Sequence, residues 1–282
     1  MMPGVDVAAE LVRIAGVTLF AAALAWALAG PWRTPPMAIA IASTVLLAAG
    51  SIALLFATVL PFSRRVGEPL PGLALEYLLD TQHGPMLLVP VLPVVYALLL
   101  LHLFRQATSP VLRRAVAGLV GAMLLSALGV MAASGHVATT NWEHVGMVSQ
   151  IVHMGAGVAW IAIVFSLLPN LVRGAPVAAE LQRVGNVAAA LVGVLVVSGV
   201  VAASLLGAPL PWSWGEPYER LLIIKTAVLA AALAAAGLNR LAVRSLPATE
   251  TVRIRVTLVA ETVVLAGALV FAAWLSRTTP PG

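Results

Sequence analysis

Apolar residues in this chain do not alternate with polar ones. They run unbroken for about 20 residues at a time, and short intervening stretches hold most of the charge. A run of that length crosses a hydrocarbon layer about 30 Å thick as one helix. Eight such runs occur, at 9–30, 37–61, 84–104, 112–133, 145–169, 184–206, 220–242 and 253–275. A transmembrane barrel is excluded, because its strands switch between apolar and polar at every residue. The pattern predicts an all-α polytopic membrane protein with eight transmembrane helices. The long break PFSRRVGEPLPGLALEYLLDTQH is predicted to hold a short interfacial helix over LALEYLLD, which is apolar with acidic punctuation. The first run follows MMPGVDVAAE, which has acids and no base. A secretory signal carries a positive n-region, so this run is read as a retained span.

Composition sharpens this picture. The chain is 61% hydrophobic and 10% charged, with no room for a sizeable soluble domain. Its net charge of +5 comes almost entirely from arginine; Lys225 is the sole lysine. The arginines stand singly or in pairs between spans, a topology signal rather than a nucleic-acid surface. With eight spans, ten arginines fall on the face of the odd-numbered loops and five, including Arg13 and Arg277, on the other. The more positive face is cytoplasmic, so both termini are expected to be extracytoplasmic. Four spans on each side of residue 133 give an N-terminal half, 1–133, and a C-terminal half, 134–282. An even number of spans makes the halves parallel, as in transporters built from parallel repeats. The breaks before the third and seventh spans, ending in Leu79–Gly84 and Pro217–Leu222, hint at such a repeat.

Candidate chemistry concentrates at the outer rim. Of five histidines, three lie within SGHVATTNWEHVGMVSQIVHMGAGVAW, residues 134–160. His83, His136, His144 and His153 all fall in the outer half on this topology, and Met86, Met131, Met147 and Met154 accompany them. His83 and Met86 are spaced to share a helix face. Met147 and Met154 lie on one stripe of a helix; His153 and Trp160 lie on another, with Gln150 and Gly146. Imidazole plus thioether without thiolate suits copper, since cysteine is absent. Packing is the competing role for each methionine. The candidate metal ligands are therefore His136, His153, Met147, Met154, His144, His83 and Met86. Two further ionisable residues within spans, Glu261 and Lys225, are candidates for an ion path or proton linkage. Lys225 is expected to snorkel outward. No hydrolase elbow, phosphate loop, HExxH or dinucleotide fingerprint occurs, which argues against an enzyme.

The ordered set Ser134-Gly135-His136, His153 with Trp160, Ser198-Gly199, Tyr218, Leu221-Leu222, Lys225, Asn239-Arg240 and Glu261 resembles the copper resistance D (CopD) family of bacterial inner-membrane proteins. Thr81-x-x-Gly84 extends the likeness faintly into the first half. Three positions depart from the family pattern. Gln150 stands where an acid often precedes the histidine, Trp160-Ile161-Ala162-Ile163 replaces Trp-x-Gly-Gly, and Glu219 replaces the glycine after the tyrosine. The resemblance implies a copper ion as cargo, a bacterial inner-membrane location and a periplasmic copper carrier as partner. The function expected is movement of copper through an outer-face His/Met site. Two alternatives stay open: a haem-binding membrane oxidoreductase, and a non-transporting assembly protein for a copper enzyme.

Overall fold

A computed structural model describes the backbone of residues 4–28, 36–134, 143–172, 178–208, 210–245 and 251–279. Side chains of 143, 168–172, 178–184, 239, 240, 242–245 and 251–255 lie outside that description. Among the described residues there are ten helices and no strand: α1 Val5–Leu28, α2 Met37–Val66, α3 Leu70–Asp80, α4 His83–Leu88, α5 Val91–Gln106, α6 Pro110–Ala133, α7 Glu143–Val172, α8 Ala178–Leu205, α9 Pro217–Ser245 and α10 Thr251–Leu275. Eight segments are long and apolar enough to cross a membrane, with α4 and α5 together forming the third. These are the eight predicted spans, and α3 is the predicted short helix.

Local sequence sets the boundaries. Ser109 caps α6 by accepting a hydrogen bond from the Leu112 N–H at 3.1 Å, with Pro110 in the first turn. Helix α2 stops at Gly67, whose φ of +79° is left-handed and whose N–H reaches the Ser63 carbonyl. The third span is broken at Val89-Pro90 because Pro90 has no N–H to continue the α4 ladder. The joint between α3 and α4 rests on Thr81: its hydroxyl donates to the Tyr77 carbonyl and accepts from the Gly84 N–H at 2.9 Å. A Cβ at position 84 would collide with that same carbonyl, so the faint Thr81-x-x-Gly84 motif is a tight turn.

The neighbour order of the first four spans recurs in the last four. Helix α1 packs on α2 and α6, α2 on α5, and α5 on α6; α7 packs on α8 and α10, α8 on α9, and α9 on α10. Helices α1 and α7 meet between the halves, flanked by α1 on α10 and α6 on α7. The main core, with Val17, Phe20, Leu47, Val94, Leu101 and Val120, is built from α1, α2, α5 and α6. It also takes in Val158 and the partly buried Met154 of α7. A second core joins Trp160, Ile161 and Val164 of α7 to Ala232, Leu258 and Leu265 of α9 and α10.

Candidate functional site

Among the described residues of the C-terminal half, a polar cluster inside the helices centres on His153 of α7. The ring nitrogen Nδ1 lies 3.0 Å from the Leu195 carbonyl oxygen and 3.3 Å from Ser198 Oγ, both on α8. A carbonyl only accepts, so Nδ1 carries the proton. The other nitrogen, Nε2, keeps its lone pair, and Lys225 Nζ of α9 stands 3.5 Å from it. An ammonium only donates, which fixes Nε2 as the acceptor. Three helices thus set one tautomer and one ring orientation. Ser198 is itself held by the Val194 carbonyl at 2.6 Å, and Ser149, one turn before His153, donates to the Ser198 carbonyl at 3.0 Å. The imidazole lies against Gly199, where a Cβ would come within 2.9 Å of Cε1.

Depth along the helices agrees across the cluster. His153 is ten residues into α7 and Lys225 eight into α9, or about 15 and 12 Å at 1.5 Å per residue. The lysine therefore does not snorkel outward, as its place near the start of the span led us to expect. Its ammonium is held inward by the histidine lone pair. The periodicity of an almost wholly apolar helix does not reveal which neighbour one polar side chain faces.

The other candidate residues are distributed differently. His136 lies outside the described residues. His144 and His83 are exposed at the starts of α7 and α4, and Met86 is exposed on α4. Met147 is half-buried. Met154, next in sequence to His153, turns to the N-terminal core with buried Met131. His102 is exposed and pairs with Gln106 at 3.1 Å. Glu261 is buried in α10 at 3% exposure; the side chains of Asn239 and Arg240 lie outside the described residues. No group of three or more His, Asp or Glu side chains gathers among the described residues. The structure thus unites His153 with Lys225 and leaves the methionine and rim-histidine candidates apart from them among the described contacts.

The remaining family-like residues have structural places. Trp160 is buried in the second core, and Tyr218, Leu221 and Leu222 pack with Ala203, Ala208 and Leu275. Glu219 accepts a hydrogen bond from the Ser213 N–H at 2.7 Å. It ties the preceding loop to the first turn of α9, a bond that a glycine could not make. Sequence reasoning missed Ser149 and the contact of Gly199 with the ring. The spacing of four between Ser149 and His153 was the available signal. Gly199→Ala is expected to push the ring off its bonds to α8 and abolish any metal affinity that depends on His153, with the far-ultraviolet circular dichroism unchanged. Copper binding equal to that of the parent chain would refute the ring placement.

No curated protein and no solved structure matches the chain. The family model for copper resistance protein D matches residues 178–275. The match begins in α8 and spans Ser198, Gly199, Lys225 and Glu261, leaving His153 on the preceding helix. Residues 178–275 are therefore similar to copper resistance protein D, in a chain with eight segments long and apolar enough to span a membrane.

Proposed function

We propose that this protein moves copper ions across the bacterial inner membrane, with both termini outside and His153 as the first imidazole met within the bilayer. Copper is the cargo, so its site must release as well as bind. The observation that carries the reading is the convergence of His153, Ser198, Gly199 and Lys225, distant in sequence, around one imidazole with an available lone pair. An imidazole donor fits copper in either oxidation state, and thioethers favour Cu(I). In this scheme His136, His144, His83 and Met86 receive the ion at the outer rim, from solution or from a periplasmic carrier. Met147 and Met154 lie within seven residues of His153 on the same helix; Met154, which faces the N-terminal core, supplies sulfur only if α7 turns about its axis. Lys225 guards Nε2 until the ion arrives, and Glu261 lies further along the path.

The membrane potential supplies the drive: one charge moved through 100 mV is worth about 2.3 kcal/mol. The two halves, 1–133 and 134–282, are proposed to act as parallel repeats around this route. Proteoliposomes loaded with a copper chelator are expected to accumulate isotopically enriched copper at a rate that rises with an inside-negative potential. Binding of copper to the purified chain without accumulation would overturn transport and favour an assembly role.

A further inference from the structure

A second buried polar cluster joins the start of α1 to the end of the C-terminal half and is unused by the scheme above. Glu10 and Arg13 of α1 meet Arg277, just beyond α10. One carboxylate oxygen, Glu10 Oε2, accepts from Arg13 Nη1 and from Arg277 Nη2, each at 3.0 Å. The Arg13 side chain is 1% exposed, that of Glu10 9% and that of Arg277 27%. Two guanidinium groups against one carboxylate leave a net charge of +1. Among the described residues, three nitrogens of the cluster are buried without a hydrogen-bond partner, Arg13 Nε and Nη2 and Arg277 Nε; so is one hydroxyl on the neighbouring helix, Ser51 Oγ of α2. All but the hydroxyl are obligate donors. A buried cation with unmet donors is costly and calls for an acceptor of opposite charge.

Like the His153 site, the cluster lies where the first helix of a half packs on the second. Gly50, the chain neighbour of Ser51, brings α2 against the α1 backbone at this point: a Cβ there would lie 2.8 Å from the Arg13 nitrogen and 2.9 Å from both the Ala9 oxygen and Arg13 Cγ. At Gly199 the contact is with the His153 ring alone, 2.9 Å from a Cβ to Cε1. Glu10 precedes Arg13 by three residues, as Gln150 precedes His153.

We infer that Arg13, Arg277 and Ser51 form a binding site for one small monovalent anion of chloride size, entered past the partly exposed Arg277 and competing with Glu10 for the two arginines. The inference is independent of copper.

The test uses the full chain in detergent, exchanged into sodium gluconate and titrated with sodium chloride at constant ionic strength. One saturable site per chain is expected, with a melting temperature that climbs as ligand-linked stabilisation requires. Arg277→Gln should weaken chloride at least tenfold and Ser51→Ala several-fold. Glu10→Gln should strengthen it several-fold by removing the internal competitor; a merely structural clasp would instead lose stability without any gain in chloride response. Equal melting in chloride and gluconate with no saturable binding would overturn the site. So would a chloride affinity indifferent to Ser51→Ala and Glu10→Gln, the two variants that carry the test if Arg277→Gln does not fold.

Discussion

Lys225→Met is expected to hold copper at least tenfold more tightly than the parent chain and to release it more slowly, so that retention rises while uptake falls. In the parent chain the ammonium sits 3.5 Å from His153 Nε2, the ring nitrogen that keeps its lone pair. Copper cannot take Nε2 until that ammonium moves, and two positive charges at such a distance repel by several kcal/mol even at an effective dielectric of about 20. Most of that is relieved when the long side chain swings away, and a residue of about 1.4 kcal/mol already means tenfold. Methionine removes the charge and offers a thioether in its place. His153→Ala works in the opposite sense. It deletes the ligand and strands Lys225 inside the bundle, so copper affinity should drop by at least tenfold and the chain should melt earlier. The measurement is equilibrium copper binding by competition with a chelator, paired with vesicle uptake for each variant. Equal affinity in all three chains would remove the imidazole from the copper route.

Gly16→Val is expected to prevent recovery of a monodisperse protein. Helix α1 crosses α2 so closely at this point that even a Cβ would lie 2.7 Å from the Leu47 nitrogen and 2.8 Å from the Ser43 oxygen. These are backbone atoms and cannot step aside. The helices must separate, and the core around Val17, Phe20 and Leu47, fully buried in the parent, opens with them. Overpacking a well-filled core costs about 1–3 kcal/mol, and separation of two rigid helices lies at or above the upper end. Gly118→Ala is the control: it has open space around its Cα and should be neutral or slightly stabilising, because glycine within a helix is unfavourable relative to alanine. A normal yield and melting temperature for Gly16→Val would mean that the helices are further apart than described.

Spans were legible because the signal is additive. Each continuous apolar run is long enough for one helix, and Pro, Gly and Arg punctuate the ends, so prediction and structure differ by a few residues at most boundaries. Facing was not legible. Lys225 was read against its distance from the helix start, whereas its partner is chosen by how α7, α8 and α9 rotate about their axes. The ordered family-like residues carried that information indirectly, since His153, Ser198, Gly199 and Lys225 prove to be neighbours. Arg13 shows the complementary failure. It was grouped with outer-face charges that orient the spans, although it stands within the first predicted span and is buried in the fold. An acid three residues ahead of a base inside an apolar run was the overlooked sign of a buried pair.

The bond from Arg277 to Glu10 joins residues 267 apart in sequence. During synthesis at about 5–20 residues per second, the opening helix enters the bilayer well before its last arginine has been made. For that interval Glu10 and Arg13 have only each other within a lipid environment. A chain stopped short of residue 277 would keep the Glu10 carboxylate without its second guanidinium and would leave the ends of the first and last helices unclasped.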